Sequence, residues 1–130
     1  MLDTHFGFTK NEVILIMNSL GEKGRSAYIH SMFTNDLIFP IIYTLLMLGL
    51  VSKIGFKKDF FFYLPLFACI ADFLQNIQTA IIMQSDKISE ISNFQILVAS
   101  CTNQIKWLLI VLIVLTITFG SVKKLIDKIG

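Results

Sequence analysis

Asp72, Gln75, Asn76 and Thr79 stand three, four and seven residues apart, a spacing that puts a carboxylate, two amides and a hydroxyl on one stripe of a helix. Asp36, Pro40 and Tyr43 share a face in the same way, and so do Asn103 and Lys106. All three sets sit in strongly apolar surroundings. An ionised side chain placed in hydrocarbon costs ~2.5–3.5 kcal/mol on insertion scales and more in simulations, so such groups are expected to turn inward and pair. The expected pairing is Lys106 with Asp36 or Asp72, assisted by the amides of Asn76 and Asn103. The chemistry this could support is binding of a small polar or amphiphilic ligand. The plainer reading of the same residues is interhelical hydrogen bonding that holds the helices in register, at ~0.6–2 kcal/mol a bond. Lys106 could also extend its ammonium toward water.

These groups need helices to carry them, and the composition names the solvent. Of 130 residues 55% are hydrophobic and 15% charged, twelve are Phe, and the mean hydropathy is +0.72. Soluble domains carry about a quarter charged residues. The fold class read from this is all-α: a membrane helical bundle of three transmembrane helices plus an N-terminal amphipathic helix. The Thr9–Glu12 pattern predicts a capping box opening a helix over 10–20, too short to cross a bilayer and suited to lying along its surface or packing on the outer ends of the other helices. A second helix is predicted over 23–52, with its transmembrane part at 33–52 and a kink at Pro40. A third spans 60–83, and a long fourth covers 89–127 with its transmembrane part at 104–122. Asp36, Asn76 and Lys106 then fall at nearly one height, about 24–25 Å from the basic edge of the bundle at the helical rise per residue. Asp72 lies one turn deeper. The residues form one membrane domain, 1–130.

Basic residues set the orientation. Lys53, Lys57, Lys58, Lys123, Lys124 and Lys128 lie at one edge, against Lys10, Lys23, Arg25 and Lys87 at the other. The positive-inside rule puts the C-terminus in the cytoplasm. The N-terminal helix is then outside although no secretory signal precedes it, and one further crossing before Met1 would account for that and make a four-helix bundle overall.

Gly21-Glu22-Lys23-Gly24-Arg25-Ser26-Ala27-Tyr28, then Asp36 with Pro40 and Tyr43, then Asp72-Phe73-Leu74-Gln75-Asn76 follow one another in an order that resembles an uncharacterised family of small bacterial four-helix membrane proteins. That family carries G-x-x-G-R-x-x-Y, D-x-x-x-P-x-x-Y and D-x-x-E-N patterns. The resemblance covers roughly residues 6–79. Gln75 stands where the family prefers an acid, which puts any role needing that charge in doubt, and the family's first membrane helix is missing here. The resemblance implies a fold and a bacterial inner-membrane location, and no activity. Arg25 and Tyr28 are a second candidate, either at the rim of the pocket or receiving an anionic group near Gly21 and Gly24, against a plain helix–helix turn in which they meet interfacial lipid or the Asp3 and Glu12 carboxylates.

The sequence holds no Gly-x-Ser-x-Gly, His-Glu-x-x-His, Gly-rich phosphate loop or Cys-x-x-Cys, and its two histidines are His5 and His30. Cys69 and Cys101 are expected to be small core residues. No metal or catalytic residue is assigned, and the cofactor is unknown. The reading leans away from an enzyme. The expected function is binding through Asp36, Asp72, Asn76, Lys106, Asn103 and Tyr43, with Arg25 and Tyr28 at the rim. The alternatives are a structural subunit of a larger membrane complex or a small membrane enzyme using an intramembrane Asp. The partners expected are the lipid bilayer and a small ligand or membrane protein; a net charge of +2 gives no case for nucleic acid.

Overall fold

Thr9 accepts from the Glu12 N–H through its hydroxyl, and the Glu12 carboxylate accepts from the Thr9 N–H at 2.7 Å. This reciprocal cap satisfies two donors that the first helical turn leaves open. The helix it starts, α1 (Lys10–Ile54), continues to Gly55, whose left-handed backbone (φ 117°) ends it. In a computed structural model, which describes residues 2, 5–56, 60–85 and 91–129, two further helices follow: α2 (Phe60–Gln84) and α3 (Asn93–Ile129). No strand occurs among the described residues. All three helices are long and apolar enough to cross a membrane.

The two helices expected at 10–20 and 23–52 are one element with a break at Gly21 (φ 62°, ψ −176°). This conformation belongs to glycine alone. It lets residues 10–20 swing off the axis of 22–54 and pack Val13 and Met17 into the bundle. By contrast, no non-helical residue occurs at Pro40. The last helix starts at Asn93, and the start expected at residue 89 lies outside the described residues. Ser92 and Gln95 form a second reciprocal cap there, each side chain accepting from the other's N–H at 3.0 Å.

Packing divides the bundle into layers. At the end where α2 finishes and α3 begins, Val13, Met17, Tyr28, Met32, Met83 and Ile96 form an apolar cluster. Leu2 and Phe8 of the N-terminal segment insert into it. Further along, Leu64, Ala68 and Ile113 form a second cluster with Met47 and Leu109 against them. Both clusters draw on α1, α2 and α3. The outward faces carry Phe39, Leu45, Ile70, Leu108 and Phe119, all well exposed, as lipid-facing helices require. Cys101 is exposed and Cys69 only half-buried, and the two are unpaired, so neither is the core residue its apolar neighbours suggested.

Two outcomes test this scheme. Gly21→Ala meets no atom within 4 Å, so its cost is purely backbone strain, expected at ~1–3 kcal/mol in unfolding measurements in mixed micelles. The backbone and hydroxyl bonds from Thr9 hold the Glu12 carboxyl below its ordinary value of 4.5. The cap therefore stabilises fully above that value and is lost as pH falls through the depressed folded one. Helicity followed by circular dichroism should show this acid loss in the native chain and not in Glu12→Gln.

Candidate functional site

Between the two apolar clusters lies a polar layer centred on α2. Asp72 and Gln75 are buried, and both meet Lys106 of α3, which is 5% exposed. The Lys106 ammonium donates to Gln75 Oε1 at 2.9 Å and to Asp72 Oδ1 at 3.4 Å. The other carboxylate oxygen of Asp72 accepts from the Tyr43 hydroxyl of α1 at 3.1 Å. Gln75 in turn donates to Thr79 at 3.2 Å. One carboxylate on the middle helix thus ties down a side chain from each of its neighbours. Charge opposite charge, with hydrogen bonds to the remaining atoms, is the arrangement that makes burial of such groups tolerable. Lys106 also lies 5.6 Å from the centre of the Trp107 ring.

Asn76 has a different task. Pro40 lacks an N–H, so the Asp36 carbonyl four residues earlier loses its helical partner. The Asn76 amide donates to that carbonyl at 3.0 Å. α1 therefore passes Pro40 with its buried backbone satisfied from α2. The Asp36 side chain is half-buried and lines the same cleft as the Asp72–Lys106 pair. The amide that assists Lys106 is that of Gln75, and not the amides of Asn76 or Asn103 that sequence reasoning placed there.

Asn103 is fully buried and serves the N-terminal segment, donating to the His5 carbonyl. Phe8 N–H donates to Ser100 Oγ at 2.9 Å on the same face of α3. The Asn103 Oδ1 atom is buried without a hydrogen-bond partner among the described residues. Arg25 and Tyr28 are not brought to the polar layer. Arg25 donates to the Ser85 carbonyl at 2.9 Å, where it closes the end of α2. Tyr28 is buried in the apolar cluster and its hydroxyl accepts from Leu2 N–H. The Arg25–Asp3 contact considered from sequence lies outside the described residues.

The layer borders an open space. A cleft of about 350 Å³ runs between α1 and α3 with α2 as its floor. Asp72, Asn76 and Lys106 face it with Asp36 and Tyr43, while Phe39, Met47, Trp107 and Ile110 make its apolar walls. Gln75 and the apolar wall residues Phe39, Met47, Trp107 and Ile110 are participants that sequence reasoning left off its site. Gln75 stood on the Asp72–Asn76 stripe, so the signal was there; Trp107 was assigned to the membrane interface. Among the described residues no group of three His, Cys, Asp or Glu side chains could hold a metal ion.

The Asn76 bond is testable by a double-mutant cycle. Asn76→Leu should cost ~1–2 kcal/mol in the native chain. In a Pro40→Ala background, where the restored N–H takes the Asp36 carbonyl, the same change should cost a few tenths. Equal costs in both backgrounds would remove the assignment.

No known protein family, curated protein or solved structure matches the chain.

Proposed function

We propose that this chain is an integral membrane protein of the bacterial inner membrane, its C-terminus cytoplasmic, that binds a small polar or amphiphilic ligand in the cleft between α1 and α3 without transforming it. The observation that carries the reading is the composition of that cleft. Its volume, about 350 Å³, falls in the range of small-molecule sites. Its walls are apolar, and a few convergent polar groups stand at its floor. A carboxylate and an ammonium there offer both an acceptor and a donor. A ligand head with a hydroxyl or amine would find partners at Asp72, Lys106, Tyr43 and Asn76, and an apolar tail would lie along Phe39, Met47 and Ile110. Access is from the side, past Phe39, which is 64% exposed.

That lateral opening also favours a second reading. A helix from a partner membrane protein laid between α1 and α3 would cover the same groups and make the chain a subunit of a larger complex. Crosslinking in native membranes separates the two, since a reproducible heteromeric partner supports the subunit.

Trp107 is the sole tryptophan of the chain and lines the cleft, so its emission reports occupancy. Titration of the reconstituted protein with a medium-chain monoglyceride should shift the emission saturably and raise the melting temperature. Asp72→Asn/Lys106→Gln, which keeps hydrogen-bonding groups and removes the charges, should abolish the saturable part while remaining helical. Flat emission and unchanged melting across polar amphiphiles of neutral, amine and hydroxyl head groups would overturn the reading.

A further inference from the structure

α1 and α3 converge again at the end of the bundle opposite the N-terminal segment. Gly120 of α3 is buried against Ile54 of α1, and a methyl group at Gly120 would collide with that side chain. Beyond this contact the helices part around a groove of about 380 Å³. Its apolar wall is formed by Ile54 and Leu125 among others, and its rim carries Lys53, Lys124, Lys128 and Ser121. Among the described residues no carboxylate lines it. Among the described residues none of these three lysines is in an ion pair.

We infer that this groove binds the phosphate head of an anionic phospholipid, with one acyl chain along the apolar wall. The groove is separate from the cleft and rests only on the proposed membrane placement of the chain. Three features support it. The rim sits where the apolar stretches of α1 and α3 end, which is head-group depth for helices of this length. The Lys124 ammonium donates to the Lys53 carbonyl at 2.8 Å, so it closes the end of α1 and holds one cation fixed over the groove. Lys53 and Lys128 are exposed, and Ser121 lines the groove with them. Clustered cations above an apolar slot fit an amphiphile whose head is negative, and not a zwitterionic lipid or a soluble anion. Basic hollows between helices at a membrane edge are suited to such heads, at ~1 kcal/mol per basic group.

The test uses the full chain in nanodiscs containing equal phosphatidylglycerol and phosphatidylcholine, with retained lipid read by native mass spectrometry. The wild-type protein should keep phosphatidylglycerol in preference. Lys53→Gln/Lys128→Gln, which leaves the Lys124 bond in place, should lower the preference about fivefold for each lysine. Lys123→Gln removes a charge one residue from the groove's lining and should leave the preference unchanged. Circular dichroism and melting of each variant in the same nanodiscs confirm insertion and folding. An equal fall in Lys123→Gln would mean diffuse surface attraction and would overturn the site, as would a preference indifferent to Lys53 and Lys128. Displacement of the lipid by millimolar glycerol 3-phosphate would overturn the assignment to a lipid.

Discussion

A buried ammonium has few tolerable surroundings, and Lys106 has most of what it needs from a single neighbouring helix. Asp72 supplies the opposite charge and Gln75 the shorter hydrogen bond. Removing a charged group from water costs several kcal/mol, which the partner's charge and good hydrogen bonds must offset. This requirement fixes α3 against α2 in both rotation and height, because a one-residue rotation of about 100° would carry Lys106 away from its partners. The Tyr43 bond to Asp72 then sets α1 by the same carboxylate. Two apolar clusters on either side of the polar layer supply bulk burial but little directional preference.

The N-terminal segment belongs to this scheme although it lies outside the expected spans. Its Phe8 N–H and His5 carbonyl are taken by Ser100 and Asn103 on α3, a few residues before Lys106. Leu2 and Phe8 fill the apolar cluster above the polar layer. The Lys10 ammonium reaches the Ile91 carbonyl ahead of α3 at 2.9 Å. One end of the bundle is therefore closed by Leu2 and residues 5–20 packed against it, while the flank between α1 and α3 stays open. A polar floor with a lateral opening is the combination that the proposed ligand binding requires.

Pro40 shows how backbone chemistry and tertiary contact share one task. In water the orphaned Asp36 carbonyl would be hydrated at little cost; in an apolar layer it needs a donor. Asn76 is that donor, which explains an amide at this place on α2 without any ligand. Of the polar residues facing the cleft, Asn76 thus has a structural account, and so in part does Tyr43. Asp72 and Lys106 neutralise each other, yet a pair of apolar residues would have filled the same volume without the desolvation cost. That asymmetry is what makes the pair, more than its amide neighbours, the centre of the proposed function.

The sequence alone determined the helical class, because an apolar solvent admits only helices and closed barrels, and its apolar runs have helix-crossing length with polar residues at helical spacing. It also determined the Thr9–Glu12 cap and the inward stripe of α2, since these depend on residues within one or two turns of each other. Periodicity could place Asp72, Asn76, Tyr43 and Lys106 on faces and at similar heights. It could not choose between Asp36 and Asp72 as the partner of Lys106, because that depends on the relative rotation of helices joined by links of unknown path. Only the tertiary structure decided that Gln75 takes the ammonium, that Asn76 serves a carbonyl freed by Pro40, and that Arg25 and Tyr28 work at the far end of the bundle. The same holds for the separation of α1 from α3, which opens both the cleft and the basic groove. Distances between helices are set by the summed packing of side chains far apart in the chain, and no local pattern encodes that sum.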